Sequence, residues 1–231
     1  MPTPGANQLA VKLGFWSAIL AAATFVIYTL CFIGILLVSP LFMWTDMSDY
    51  VAYVQANPQF FKDTAQVAML LFGPLFVILL NSIHELAPAN QRTLTRVALS
   101  FGILFALLTS LFYFVQLSTV KQNLLLGHTD GLEHFVQANP ASALLAVNML
   151  GWTLFLGLAS LFVAPVFAGG TLETVIRYAF LVNGTVCLLG GASFLLNIPI
   201  LVFLFITIGM GGAVLVGTIA LSLYFSRLQR Q

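Results

Sequence analysis

Residues 200–225 read ILVFLFITIGMGGAVLVGTIALSLYF, an apolar run without one charged side chain. A helix of ~20 residues reaches across the ~30 Å hydrocarbon core of a bilayer. Five further stretches share that character: Leu13–Val38, Ala65–Ile83, Val97–Val120, Ala141–Phe167 and Tyr178–Leu196. Hydrocarbon offers no water to backbone N–H and C=O groups, so each stretch must close its own hydrogen bonds as a helix. A β-barrel needs alternating strands of ~10 residues, and the uninterrupted apolar runs exclude it. The sequence therefore predicts an all-α membrane protein: a six-transmembrane-helix bundle, one polytopic domain over 1–231.

Composition agrees. Hydrophobic residues make up 60% of the chain and charged residues 6%, against ~25% charged in ordinary soluble domains. A net charge of +1 leaves no clustered basic footprint, so no nucleic-acid partner is expected. Both cysteines, Cys31 and Cys187, fall inside spans with no C-x-x-C pair, and they read as small packing residues. The apolar run behind Lys12 is too long for a signal-peptide core and lacks a small-residue cleavage site, so it is expected to persist as the first span.

Lysine and arginine placement sets the expected orientation. One side receives Lys12, Arg92, Arg96, Arg177, Arg227 and Arg230; the other receives Lys62 and Lys121. That asymmetry places both termini in the cytoplasm. Asp46, Asp49, Asp63, Asp130 and Glu133 fall on the opposite, outer side.

The most specific pattern is a repeat. Tyr53-Val54-Gln55-Ala56-Asn57-Pro58 recurs 82 positions later as Phe135-Val136-Gln137-Ala138-Asn139-Pro140. Tyr50, Tyr53 and Val54 in the first copy match Leu132, Phe135 and Val136 in the second, at offsets that share one helical face. Each copy is expected to form a short amphipathic helix on the outer surface. Asn57 and Asn139 suit N-caps, with Pro58 and Pro140 at the first helical position. The repeat serves either as a turn-and-restart device or as paired flaps over a cavity, and it suggests a duplicated helical hairpin. Pro74 and Pro165 are expected to kink the second and fourth helices. Small-residue stripes, Gly14/Ala18/Ala22 and Gly209/Ala213/Gly217, permit close helix packing or, through the last helix, a homodimer.

Chemistry-bearing motifs are scarce. His84-Glu85 begins like H-E-x-x-H, but the second histidine position is Pro88, so no metal site follows. No G-x-S-x-G, paired intramembrane aspartates or phosphate-binding loop occurs. No catalytic residue and no cofactor is expected. The deep polar groups are neutral: Tyr28, Ser110, Gln116, Asn148, Trp152, Asn183 and Thr185. Asn148 and Trp152 are one helical turn apart and share a face. They bond helix to helix, or they line a cavity for an apolar or amphipathic ligand with Asn183, Tyr28 and Gln116. That cavity is expected between the second, fourth and fifth helices. Two rival readings are an accessory subunit of a larger membrane complex and a lipid-directed enzyme. The enzyme would have to draw on His84, Glu85, His128 or His134.

A first span, then the Asp49-Tyr50-Val51-Ala52-Tyr53-Val54-Gln55-Ala56-Asn57 segment, a hairpin, a second outer loop and a small-residue-rich last helix follow in order. In that order the chain resembles a bacterial family of six-helix membrane proteins of unknown function. The resemblance implies a multi-pass protein of the bacterial inner membrane among membrane lipids, and it supplies no activity or functional residues.

Overall fold

The computed structural model describes residues 8–230. The first seven residues of the polar N-terminal stretch, and Gln231, lie outside the described residues. Among those described there is no strand. Six helices are long and apolar enough to cross a membrane: Gln8–Val38, Phe60–Leu86, Ala89–Leu126, Ala143–Val166, Thr171–Leu195 and Pro199–Gln229. The chain is a multi-pass membrane protein.

The first span is α1 (Gln8–Val38), followed by a short α2 (Met47–Ala56) and the second span, α3 (Phe60–Leu86). The third span joins α4 (Arg92–Val115), a π-helical turn (Gln116–Val120) and α5 (Lys121–Leu126). The fourth joins α6 (Ala143–Leu150), a second π turn (Gly151–Phe155) and α7 (Leu156–Val163). The fifth is α8 (Thr171–Leu195). The sixth joins α9 (Pro199–Val202), a π segment (Phe203–Met210) and α10 (Gly211–Gln229). The membrane end that carries α2 is termed the outer end below.

Helices adjacent in sequence pack side by side, and α10 returns to α1, so the six spans close into a ring. Phe72, Phe105, Leu156, Val163, Ile176, Leu221 and Phe225 are fully buried inside it. Near the middle, Phe72 lies parallel to Trp152 at 5.8 Å between ring centroids. Phe105 meets the same indole edge-on at 4.9 Å, and Phe25 meets Phe72 edge-on at 4.7 Å. Each such pair adds ~0.5–1.5 kcal/mol beyond its buried area. The last-helix stripe points into the chain: Gly209 faces Val186 and Gly217 faces Ala179, both on α8. At α7 and α8 the backbones nearly touch. A methyl added to Gly184 would stand 2.9 Å from the Gly157 carbonyl oxygen, so nothing larger than glycine fits there.

Helix α3 runs unbroken through Pro74. Proline has no N–H to give the carbonyl four residues back, which is Leu70, and the Ser110 hydroxyl of α4 donates to that oxygen at 3.4 Å. A serine from the neighbouring helix thus answers the orphaned carbonyl, a standard solution in lipid. Pro165 sits in a 3₁₀ turn, Ala164–Val166, that ends the fourth span.

The two copies of the repeat part company. The first forms helix α2, but the second makes only one 3₁₀ turn, Leu132–His134, followed by tight turns. The expected second amphipathic helix is absent, and Gly131, just ahead of this turn, stands at φ +74°, a left-handed conformation no α-helix contains, so the helix cannot start upstream as α2 does. The expected N-caps also move. Asn57 ends α2 rather than starting α3, which begins at Phe60. Ser142 caps the fourth span by accepting from the Leu145 N–H at 3.2 Å. Pro58 and Pro140 therefore precede their helices by more than one residue.

The third span is longer than the sequence suggests. Its 38 residues extend ~57 Å at 1.5 Å per residue, well beyond ~30 Å of hydrocarbon. Its outer end becomes a post for a small second core of Tyr50, Val120, Leu132 and Val136, flanked by Val54, Val115 and Leu124. Equivalent positions of the two repeat copies, Tyr50 with Leu132 and Val54 with Val136, meet there. The duplicated segments form one outer cap.

Candidate functional site

Beneath that cap the ring holds a cavity of about 410 Å³. Three π-helical segments lie near it. The Gly151–Phe155 turn supplies Trp152, and the Phe203–Met210 segment supplies Ile206, Thr207 and Met210. The turn at Gln116–Val120 supplies Gln116, which carries the loop above. Such wide turns re-aim side chains within a helix and recur at functional sites.

The cavity draws its walls from the first, fourth and sixth spans: Phe25, Tyr28 and Phe32; Leu145, Asn148 and Trp152; Ile206, Met210 and Leu215. Met69 enters from the second span and Tyr113 from the third, and the fifth contributes nothing. The expected position between the second, fourth and fifth helices is thus corrected. Adjacent neighbours in the ring pack too tightly there. Around Asn183 only a void of about 10 Å³ remains.

Polar side chains enter the lining from four spans and from the outer loop. Tyr28, Tyr113, Asn148 and Trp152 all belong to that lining. Asn148 is 5% exposed, and its Oδ1 has no hydrogen-bond partner in the protein. A buried acceptor left unpaired costs about 1–3 kcal/mol. One other buried side-chain atom is unpaired among the described residues, Gln91 Oε1. Gln91 belongs to the opposite end of the third span, where its amide donates to the Pro165 carbonyl at 3.4 Å.

The second loop roofs the cavity through Gln137. Gln66 on α3 donates from Nε2 to Gln137 Oε1 at 2.8 Å. Gln116 bridges the loop backbone, donating to the Phe135 carbonyl at 2.5 Å and accepting from the Gln137 N–H at 3.1 Å. Its amide imitates a neighbouring strand, satisfying one acceptor and one donor two residues apart. Gln66 and Gln116 are both buried.

Of the five residues singled out by sequence, Tyr28, Asn148 and Trp152 share the cavity. Gln116 does not line it; it holds the residue that does. Asn183 lies elsewhere, donating to Ser160 Oγ across the α7–α8 contact at 2.7 Å. Sequence reasoning missed Tyr113, Thr29 and Thr207. Tyr113 stands between Phe112 and Phe114, where one hydroxyl among rings gives no signal of direction. The histidines do not converge. The Thr95 hydroxyl lies 3.0 Å from the Arg92 carbonyl and shares a hydrogen bond with His84 Nδ1 at 2.6 Å. His84 thereby ties α3 to α4. His128 lines an open depression in the outer loop with Asp130 and Asn123. No group of three potential metal ligands occurs among the described residues.

The sixth span makes this cavity accessible. Its inner part, α10, packs along α1, whereas the π segment Phe203–Met210 leans on α8 and leaves α1. Thr29 on α1 and Thr207 on the π segment are exposed at the rim of the resulting gap. The ring is closed at its inner half, where α10 packs on α1, and parted at its outer half.

Comparison with protein-family models, curated proteins and solved structures gave no match, so the function rests on this geometry.

Proposed function

We propose that the protein binds an apolar or amphipathic lipid-like molecule in the cavity under the outer cap. One observation carries this reading: Asn148, whose Oδ1 is buried and unpaired, stands in the wall of a cavity lined mainly by aromatic and aliphatic side chains. Pockets for small ligands combine an apolar lining with a few placed polar groups, at ~300–1,000 Å³. The cavity's volume of about 410 Å³ falls in that range. The basic residues at the inner ends favour both termini in the cytoplasm, which sets the cavity in the outer leaflet; a bacterial inner membrane is what the resemblance in element order implies.

Native mass spectrometry of gently extracted protein tests this. Wild-type protein should retain a lipid-like adduct. Gly211 lines the cavity, and an added Cβ would meet nothing within 4 Å. Gly211→Leu should therefore fill the space and remove the adduct while the melting temperature holds. Asn183→Leu should do the reverse, weakening the α7–α8 contact by ~1–2 kcal/mol with the adduct retained. An adduct unaffected by both Gly211→Leu and Asn148→Leu would rule the site out.

A further inference from the structure

Resting on that reading, we infer the chemical class of the ligand: an uncharged amphiphile whose polar end carries a hydrogen-bond donor, such as a long-chain alcohol or a monoglyceride. It reaches the cavity sideways, from the outer half of the bilayer.

Three observations define the class. The first is charge. No Lys, Arg, His, Asp or Glu lines the cavity, and a charged headgroup carried into it would find no counter-charge. Phospholipids and fatty-acid anions are disfavoured on that ground. The second is polarity. Asn148 belongs to the lining, and its Oδ1 is left buried and unpaired. An acceptor in that position is satisfied only by an incoming O–H or N–H. A quinone or an ester presents oxygen to oxygen and leaves it unsatisfied. The third is route. The parting of α1 from the Phe203–Met210 segment leaves a gap toward lipid between Thr29, Phe32 and Thr207. An alkyl chain can lie in that gap while its head sits against Asn148. Gln137 and its two glutamine partners stand at the outer side of the cavity.

The two other sizeable apolar hollows lack this combination. One, about 430 Å³ between the fourth and fifth spans, has Thr153 as its polar side chain, and that hydroxyl donates to the Met149 carbonyl. The other, about 390 Å³ between the fifth and sixth spans, contains no unpaired buried polar atom. Both are consistent with ordinary lipid-facing grooves.

Trp152 stands in the cavity wall, while Trp16 and Trp44 stand outside it, so a Trp16→Phe/Trp44→Phe background reports on this site alone. Titrate that protein in nanodiscs with three terminally brominated probes of equal chain length: a primary alcohol, its methyl ether and the matching carboxylate. Bromine quenches the Trp152 emission on contact. The alcohol should bind about tenfold more tightly than the ether, the worth of one buried hydrogen bond, and the carboxylate should bind least. Asn148→Leu should bring the alcohol down to the level of the ether. Equal affinity for alcohol and ether, or a preference for the ether or carboxylate, overturns the ligand class but leaves the cavity standing. Absence of Trp152 quenching by all three probes, or quenching unchanged in Gly211→Leu, removes the cavity reading itself. The alcohol–ether comparison needs only the reporter background and is independent of how well Asn148→Leu folds.

Discussion

The two copies of the Val-Gln-Ala-Asn-Pro segment are nearly the same text, yet one is a helix and the other a pinned loop. Before the first copy, Asp46 accepts from the Asp49 N–H at 2.9 Å and launches α2. At the positions 82 residues later stand His128 and Gly131. The N-cap carboxylate is gone, and a left-handed glycine occupies what should be the first helical turn. The difference lies upstream of the shared words. The lesson is that a repeated motif specifies its apolar contacts, because Tyr50/Val54 and Leu132/Val136 meet in one small core, but not its backbone. Freed from the helix, the second copy offers bare backbone at Phe135 and Gln137, and Gln116 takes it. Gln55, the counterpart of Gln137, is exposed and meets no such partner.

The largest effect should come from breaking the pinned copy. Gln116→Leu leaves the Phe135 carbonyl and the Gln137 N–H without their shared partner, at about 1–3 kcal/mol. Hydrogen exchange over 132–142 should rise at least tenfold while α2 keeps its protection, and thermal stability should fall. Gln55→Leu, on the other copy, should change neither. Equal loss of protection in both copies would show that the cap melts as one unit and that the glutamines do not distinguish them.

Next come the two asparagines. Asn139 is buried, donates to the Glu133 carbonyl at 2.8 Å and accepts from the Ala141 N–H at 2.9 Å. Asn57 makes one comparable bond, to the Tyr53 carbonyl at 2.9 Å, and is partly exposed. Asn139→Ala should therefore cost about 2 kcal/mol and Asn57→Ala about half that, read from paired thermal or denaturant melts. Equal costs would mean that the two turns carry the same load despite their different shapes. Exchanging the upstream residues sharpens the point. Gly131→Ala strains a left-handed position by ~1–2 kcal/mol, whereas Asp49→Gly weakens the first turn of α2 by under ~1 kcal/mol.

The spans were legible because hydrophobicity dominates every competing signal in lipid, and the six apolar runs became six crossing helices. Their ends were less so. Lys121, Gln122 and Asn123 read as loop, yet they extend the third span, because the outer cap packs against Val120 and Leu124 on either side of them. The π turns had no signature, since a widened turn depends on what a helix meets rather than on its own residues. The site was half legible. Helical spacing put Asn148 and Trp152 on one face, and that face proved to look into a cavity. Nothing in one dimension says which neighbours a face meets, so Asn183 was grouped with residues it does not join. A readable clue to its partner was the matched pairing of small and polar residues, Gly157 with Ser160 and Asn183 with Gly184, the pattern of tightly apposed helices. Gly131 was readable too: aligned with Asp49, it breaks the helix its copy was expected to form.

The smallest effect is a matter of pH, and it separates the copies by chemistry alone. The Asp49 backbone N–H, and after it the Ser48 hydroxyl, hold the Asp46 carboxyl below the ordinary aspartate range. A group whose folded pKa is depressed contributes fully above its unfolded value and loses that contribution as pH falls through the folded one. Helix α2 should thus keep its N-terminal protection down to the ordinary aspartate pKa of ~3.9 and fray below it. The second copy has no carboxylate cap, and its backbone is held by carboxamides that do not titrate. Exchange at 47–50 should quicken by a fewfold between pH 5 and pH 3 after correction for intrinsic rates, with 135–139 unchanged. Asp46→Asn, which keeps an N-capping oxygen but no charge, should abolish the pH dependence and leave the helix in place. A response at 135–139 equal to that at 47–50 would mean that acid acts on the outer cap as a whole, through a group such as Asp63, which accepts from Lys121 at 2.6 Å beside it. In that case the two copies would share their electrostatics as well as their core.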